Sequence, residues 1–257
     1  MNAVYGIVVR DLSRAFRQRS RLIAGLARPF MWLILVGTGY NAIAHVDGVS
    51  SYRAFIYPGV IVMATFFGAM LTAISTVYDR EFGILRLMLA SPAPIPAILA
   101  GRVIASTVIG VAQGGVVLLS VPLFAPVSAM QVTAAVGALV LGAAASSALG
   151  LLVAAPLRSV ENFAGIINVV LFPLLFLSGA LYPTRNMPVG LRAIARLNPV
   201  SYAVDLTRAA LGQPSEFGAM RSILALTATT LLVFLLTVFV FDPERRFVLR
   251  RRPIVAS

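Results

Sequence analysis

The stretch that decides the fold is YDREFGILRLMLASPAPIPAILAGR, residues 78–102, which separates two long apolar runs. It holds five of the thirty charged residues of the chain and three of its prolines. Its apolar side chains recur at the spacing of one helix face, at Ile84, Leu85, Met88 and Leu89. Proline lacks an N–H donor and disfavours helix at the preceding residue, so SPAPIP ends this helix. We expect a short amphipathic helix over about residues 81–91, between two membrane spans.

The composition around this stretch is typical of a membrane protein. Of the 257 residues, 59% are hydrophobic and 12% are charged, and the mean hydropathy is +0.92. A soluble domain carries about 25% charged residues, and a soluble fold could not bury so much apolar surface. The sequence therefore predicts an all-α integral membrane protein, with one transmembrane domain over residues 1–257.

Six apolar runs approach or exceed the roughly 20 residues that a helix needs to cross the hydrocarbon core. They lie at about 29–44, 57–77, 97–124, 131–154, 163–181 and 223–241. We interpret them as six transmembrane helices. The first run is short unless residues 22–27 join it past Arg28.

The N-terminal segment, residues 1–28, precedes these spans and lacks the short apolar region of a cleavable signal. Its apolar side chains follow one helix face, and the opposite face carries a stripe of arginines: Arg10, Arg14, Arg17 and Arg21. This pattern indicates a helix that lies in the membrane interface, with its cations toward anionic headgroups. An ordinary soluble surface helix is the alternative.

The arginines also predict the orientation, because cytoplasmic loops of membrane proteins carry an excess of positive charge. With both termini cytoplasmic, 15 of the 21 arginines face inside, including those of a basic tail at residues 242–257. The other six face outside, and five of them lie in one long connection, residues 182–222. Long connections follow the rule less strictly, so both termini are predicted to be cytoplasmic.

The long outer connection has the signals of two short helices. Asn198 can cap a helix that begins at Pro199, and another short helix precedes it. Asp205 and Arg208 stand one turn apart on the second helix and could pair. We expect re-entrant elements at about 183–212 that dip into the outer leaflet, with an ordinary folded loop as the alternative.

Some side chains inside the spans are candidates for a translocation path. They are the polar Gln113 and Asn168 and the aromatic Phe66, Phe67, Phe172 and Phe176. Polar groups inside lipid are costly, so we favour interhelical hydrogen bonds for the two polar residues. For the aromatic residues, lipid-facing packing is an equal alternative. Gly110 and Gly114 form a GxxxG pair, which lets two helices approach closely.

The chain lacks the motifs of an enzyme. It has no P-loop, no HExxH, no GxSxG, no cysteine and a single histidine, His45. We expect no bound cofactor or metal. All nine acidic residues lie at or beyond the ends of the spans, which counts against a proton- or sodium-driven carrier. Energised work would then need a partner.

Two stretches carry a family resemblance. One is REFGILRLMLASPAPIPAILAGRV, residues 80–103, with an acidic residue, a glycine, a leucine-rich turn and LASP before the third span. The other is FPLLFLSGALYPTRNMPVGLRAIARLNPVSYAVDLTRAALGQ, residues 172–213. Both resemble the type-2 permease subunits of ATP-binding-cassette (ABC) exporters, which include daunorubicin-type drug exporters and nodulation lipo-oligosaccharide exporters. With the six spans and the N-terminal helix, the resemblance covers the whole chain.

The resemblance implies that residues 81–91 are a coupling helix seated in a groove of an ATPase, and that the N-terminal segment is an elbow helix. The implied ATPase contacts are Glu81, Gly83, Ile84, Leu85, Arg86, Met88, Leu89 and Ser91. The implied residues that close the outer side are Tyr182, Pro183, Asn198, Pro199, Tyr202, Asp205 and Arg208. Family members often have Thr and Glu where this chain has Ile84 and Arg86, so the resemblance does not extend to the polar contacts with the ATPase at these two positions.

The resemblance also implies partners and a cargo. Two ATPase subunits would hold ATP and magnesium, this chain would bind no nucleotide, and a second permease copy would complete a homodimer or a close heterodimer. The cargo would be a hydrophobic or amphipathic drug, lipid or lipid-linked saccharide, exported across the bacterial cytoplasmic membrane. Membrane lipids, and no nucleic acid, are the other expected partners. The alternatives are an ATPase-independent carrier or channel and a non-transporting scaffold.

Overall fold

The computed structural model describes residues 3–41, 51–123 and 127–250 of the chain. His45, residues 251–257 of the tail, the end of the predicted first span at 42–44 and residue 124 of the third lie outside the described residues. The side chain of Asn168 and those of residues 242–250 are also outside the description. The described residues form helices and no strand, so the predicted all-α class is confirmed.

Eleven helices follow one another in the described part of the chain. They are α1 (Ala3–Arg17), α2 (Arg19–Met31), α3 (Gly37–Asn41), α4 (Tyr52–Glu81), α5 (Ile84–Leu89), α6 (Ile95–Leu118), α7 (Ala129–Ala154), α8 (Val160–Phe176), α9 (Val189–Leu197), α10 (Pro199–Ala210) and α11 (Ala219–Arg250). A wide π-helical turn, Trp32–Val36, joins α2 to α3, and short 3-10 turns lie at Val121–Leu123 and Thr184–Asn186.

Five helical segments in the described residues are long and apolar enough to cross a membrane. They are Arg19–Tyr40, Tyr52–Glu81, Ile95–Leu118, Ala129–Ala154 and Ala219–Phe241. The chain is therefore a multi-pass membrane protein. The remaining predicted span corresponds to α8, whose 17 residues are at the short end of the usual range for a crossing.

The first span begins earlier than the sequence predicts. The chain breaks its helix at Gln18, so α1 ends at Arg17 and the span starts at Arg19 rather than near residue 29. Two arginines of this span contact α4, and one of them, Arg21, donates to the Tyr78 hydroxyl at 3.1 Å. Arg28 lies over the ring of Phe67, 4.7 Å from its centroid, and such a contact stabilises a cation in an apolar setting.

α4 is the central helix and packs against both α6 and α7. The GxxxG pair of α6 faces Thr65 of α4. A Cβ atom at Gly110 would lie 2.8 Å from the Thr65 carbonyl oxygen, and one at Gly114 would overlap the Thr65 Oγ1. No larger residue fits between these backbones, so the predicted close packing is confirmed.

The outer connection folds into α9 and α10, and its predicted cap is present. The Asn198 Oδ1 accepts a hydrogen bond from the backbone N–H of Val200 at 3.0 Å, and its Nδ2 donates to the Leu174 carbonyl at 2.6 Å. The cap therefore begins α10 and also ties it to α8. α10 packs on α7, where Ala203 lies against Gly142, so this helix lies within the bundle.

Candidate functional site

The predicted coupling segment is a turn followed by a short helix. α4 continues through Glu81, and Phe82 and Gly83 form the turn before α5. Gly83 has φ +76°, a left-handed conformation that glycine adopts without steric cost. The helix is therefore Ile84–Leu89 rather than residues 81–91.

The two faces of α5 have different environments. Leu85 and Leu89 are each only 2% exposed and pack among the inner ends of α6, α7 and α11. Phe82 and Leu87 are 70% and 74% exposed, and Ile84 is also exposed. The sequence predicts one apolar face from Ile84 to Leu89, but the structure divides it, because spacing alone does not show which residues the bundle itself covers.

A cluster of charged side chains lies directly beneath this segment. Asp79, at the inner end of α4, accepts hydrogen bonds from Arg102 at 2.6 Å, Arg10 at 2.8 Å and Arg14 at 2.7 Å. Asp79 is fully buried and Arg102 is 1% exposed. We call these four residues the inner ion-pair cluster. A buried charge is tolerated when it is paired in this way.

The inner ion-pair cluster joins four helices. Arg10 comes from α1, Asp79 from α4 and Arg102 from α6, and both of these arginines also donate to the sulfur of Met88 in α5 at 3.2 Å. Burial lowers the pKa of Arg10, but the carboxylates of Asp11 and Asp79 outweigh it and raise that pKa overall. Arg10 therefore stays charged.

The cluster corrects the sequence-based interpretation of the N-terminal helix. Arg10 and Arg14 bind Asp79 instead of facing lipid headgroups, and Arg21 donates to the Tyr78 hydroxyl at 3.1 Å. Sequence reasoning missed this arrangement. The available signal was a pair of opposite charges, Asp79 and Arg102, at the adjoining ends of two consecutive spans.

The last turn of α4 also holds the neighbouring connection. Arg80 donates to the carbonyls of Ala155 and Leu157 and lies 5.4 Å from the ring centroid of Phe241 in α11. Glu81 accepts from the Val160 N–H at 3.2 Å, at the start of α8. The last turn of α4 therefore contacts the connection from α7 to α8, the start of α8 and α11.

Gln113 links helices, as the sequence favours. It is 3% exposed, and its Nε2 donates to the Leu22 carbonyl of α2 at 3.2 Å. It also lies against Gly25 of α2 and Gly68 of α4. Its place at this three-helix junction confirms the interpretation as an interhelical hydrogen bond.

The predicted aromatic residues separate into two environments. Phe66 is buried in the core of the bundle. Phe67, Phe172 and Phe176 instead line a small lateral cleft with Arg28 and Trp32, and the Trp32 and Phe176 rings meet edge to face at 5.9 Å. The structure thus brings three of the predicted aromatic residues together and excludes Phe66 from that group.

Asp205 and Arg208 bind different groups rather than each other. Asp205 accepts from the Ser215 hydroxyl, the N–H groups of Glu216 and Phe217 and the Ser222 hydroxyl, at 2.6–3.3 Å. It therefore fixes the turn that follows α10. This role was not visible from the sequence, because its partners lie beyond the end of the helix.

Arg208 is buried and donates to the Gly179 carbonyl at 2.7 Å. Its guanidinium lies 4.1 Å from the ring centroid of Phe55. Burial lowers the pKa of Arg208 to about 10, against the opposing effect of Glu216 and Asp205. It is still protonated at neutral pH.

An outer cavity of about 810 Å³ lies above Arg208, between the outer connection and the start of α11. Of the residues predicted to close the outer side, Pro183, Tyr202 and Arg208 line it. Asn198 and Asp205 are buried and shape its surroundings through the cap and the turn described above. The outer connection therefore surrounds a cavity that is lined by both charged and apolar side chains.

Comparisons with known proteins show which family this chain belongs to. The family model for the ABC-2 type transporter matches residues 2–211. A protein named as transport permease ycf38 from Pyropia yezoensis is 32% identical, over 80% of this chain and 72% of its own length. Nodulation protein J from Rhizobium leguminosarum bv. viciae is 30% identical over 75% and 76%. The multidrug ABC transporter permease YbhR from Escherichia coli (strain K12) is 26% identical over 82% of this chain and 58% of its own length. The chain belongs to the ABC-2 type transporter family and is an ABC transporter permease.

Proposed function

We propose that this permease is the membrane subunit of an ATP-driven exporter for a hydrophobic or amphipathic substrate such as a drug, a lipid or a lipid-linked saccharide. Permeases of this family are membrane components and not catalysts, so ATP and magnesium would be held by a partner ATPase. The observation that carries the proposal is the divided helix α5, which has one face fixed in the bundle and the other exposed.

The exposed face would be the ATPase-docking surface. We define the coupling patch as Phe82, Ile84, Arg86 and Leu87, all of which are exposed. The arginine distribution supports a position on the cytoplasmic side. Apolar side chains at such a site favour a protein partner, because exposed apolar patches commonly mark interaction surfaces. Glu81, Gly83 and Ser91 would flank the contact.

Force applied to the coupling patch would reach the spans through rigid contacts. Leu85 and Leu89 fix α5 against α6, α7 and α11. Met88 fixes it to Arg10 and Arg102 of the inner ion-pair cluster. In this scheme α1 is the elbow helix, α8 is the sixth span, α9 and α10 are the re-entrant elements that close the outer side, and both termini are cytoplasmic.

A second copy would complete the substrate path. The lateral cleft of Phe67, Phe172 and Phe176 is open at the face formed by the first span and α8, where Val169 is 73% exposed. We place the homodimer contact on this face, so that closure of two ATPase subunits moves two permease copies against each other. Alternating access across this contact would export the cargo through the bacterial cytoplasmic membrane.

Single substitutions in the coupling patch test the docking. Leu87→Asp should prevent co-purification of an ATP-binding protein from host membranes, detected by photolabelling with azido-ATP, and should abolish vanadate-sensitive transport. Leu197→Asp is the matched control for co-purification, because Leu197 is 85% exposed on α9, which is not part of the coupling patch. Co-purification of the ATPase with the Leu87→Asp variant at the wild-type level would refute the docking site. Ion-gradient-driven movement by the purified chain alone would favour a carrier instead.

Cross-linking tests the dimer contact, because the chain has no cysteine of its own. Val169→Cys should give a cross-linked dimer in membranes treated with an oxidant. Phe239→Cys is the control, since this residue is 75% exposed on α11, away from the proposed contact. Equal cross-linking of the two variants, or none at position 169, would contradict this arrangement.

A further inference from the structure

Five arginines line the outer cavity, and they come from four elements: the Thr184–Asn186 turn, α9, α10 and α11. They are Arg185, Arg192, Arg196, Arg208 and Arg221. These are all five of the arginines between residues 182 and 222. The positive-inside tendency disfavours arginine on this side of the membrane, so their collection around a single cavity calls for a ligand of opposite charge.

Basic side chains outnumber acidic ones around this cavity, although Asp205 and Glu216 both lie near Arg208. Among the described residues that line it, Glu216 is the one carboxylate. Glu216 already accepts hydrogen bonds from the Thr184 N–H and hydroxyl. Like charges gathered in a cleft repel one another and focus a field that attracts counter-ions. The cavity therefore favours an anion.

Backbone carbonyls hold two of these guanidinium groups in place. Arg208, 4% exposed, is held by the Gly179 carbonyl and the Phe55 ring. Arg192 donates to the carbonyls of Arg185 and Met187. Within the described part of the chain, the Nε atoms of both Arg192 and Arg208 are buried without a hydrogen-bond partner. Donors of this kind are suited to a multi-oxygen anion, since arginine binds phosphate through several N–H groups at once.

The cavity also has an apolar side. Leu224 and Ala225 of α11 line it, and Leu224 is 61% exposed, as is Leu232 further along this membrane-spanning helix. A ligand whose anionic group occupies the cavity could therefore lay an apolar chain along α11. The volume of about 810 Å³ is within the usual range for small-molecule sites.

We propose that the outer cavity binds the phosphate of an amphiphile whose headgroup has a net negative charge, such as an anionic phospholipid, in which no ammonium group compensates the phosphate. The arginines neutralise the phosphate, and the lip at Leu224 and Ala225 receives the start of the apolar chain. This binding requires neither ATP nor a partner subunit, so it can be tested independently of the export function.

Lipid binding to the purified full-length chain tests the proposal. Native mass spectrometry would compare phosphatidylglycerol with phosphatidylcholine of the same chain length. Wild-type protein should bind phosphatidylglycerol at least fivefold more tightly. The variant R196Q/R221Q should lose most of this preference, because it removes two exposed guanidinium groups from the cavity while leaving Arg192 and Arg208 in place. A second variant, R196E/R221E, should reduce it further.

The control variant is R86Q/R158Q, which removes the same charge from two exposed arginines outside the cavity. It should keep the preference for phosphatidylglycerol. Competition by 10 mM inorganic phosphate distinguishes the sources. Displacement of the lipid by phosphate would support the phosphate site and identify the free anion as a sufficient ligand. No displacement would show that the site requires the lipid headgroup. Unchanged phosphatidylglycerol binding in R196Q/R221Q, or equal binding of phosphatidylcholine by the wild type, would overturn the proposal.

Discussion

Arg102 of α6 donates to Asp79 of α4 across 2.6 Å, and both side chains are buried. The two residues lie on either side of the coupling segment, so their contact closes the hairpin from which α5 projects. Breaking a buried ion pair by removing one partner is costly because the other charge is left without compensation. The pair therefore fixes α5 relative to two spans.

We expect Asp79→Leu to lower the free energy of unfolding by about 3–5 kcal/mol, because it leaves Arg102 buried and uncompensated. The double variant D79L/R102M should recover a large part of this loss. Its remaining arginines, Arg10 and Arg14, are about one-third exposed and can reach water. Thermal unfolding in detergent measures both. A double variant as unstable as Asp79→Leu would contradict this account.

The membrane class and a short helix between the second and third spans could be predicted from the sequence, because they follow from hydropathy and proline content. The span ends were less accurate, since α4 continues to Glu81, past the predicted end at residue 77. The partners of the charges could not. Arg10 and Arg14 have the spacing of an interfacial stripe, and only the packing of α1 on α6, where Ile7 meets Gly101, shows that they reach Asp79 instead.

The two faces of α5 give a second prediction. Leu85→Ala should lower the free energy of unfolding by about 2–5 kcal/mol, the usual cost of truncating a buried leucine. Leu87→Ala should change it by less than about 0.5 kcal/mol, because Leu87 is 74% exposed. Thermal unfolding of the purified variants in one detergent measures the difference. Equal destabilisation would show that the division of α5 into a buried and an exposed face is incorrect.

Two adjacent glycines of α6, Gly114 and Gly115, give a third prediction, which concerns the contact of α6 with α4. Gly114→Val should destabilise the protein by about 1–3 kcal/mol or more, because its side chain would overlap Thr65. Gly115→Val is the matched control: it introduces the same β-branched residue into the same helix, where no atom lies within 4 Å of an added Cβ. Melting temperatures of the two variants should therefore differ by several degrees. A similar loss in both would assign the effect to helix propensity alone.

The outer connection shows what local signals can and cannot predict. Asn198 and Pro199 predict the start of α10 correctly, because capping depends on residues next to one another in the chain. The role of Asp205 depends on a turn ten residues later, which brings Ser215 and Glu216 back to its carboxylate. The outer cavity likewise forms only when α11 packs beside the outer connection. The convergence of its arginines could therefore not be predicted from their spacing in the sequence.

Asp205 gives the last prediction, because its carboxylate holds the turn that lines the outer cavity. Asp205→Ala removes an acceptor from two backbone N–H groups and two hydroxyls, and each buried donor left unpaired costs about 1–3 kcal/mol. We expect the turn to open, so chymotrypsin should cleave after Phe217 at least tenfold faster in detergent-purified protein. Ser215→Ala is the graded control: it removes one donor to the carboxylate and the acceptor of the Gly218 N–H. It leaves the carboxylate bound to the other three donors, so cleavage should rise only a few fold. If Asp205→Ala is cleaved no faster than Ser215→Ala, the turn is held by other contacts and the carboxylate is not its anchor.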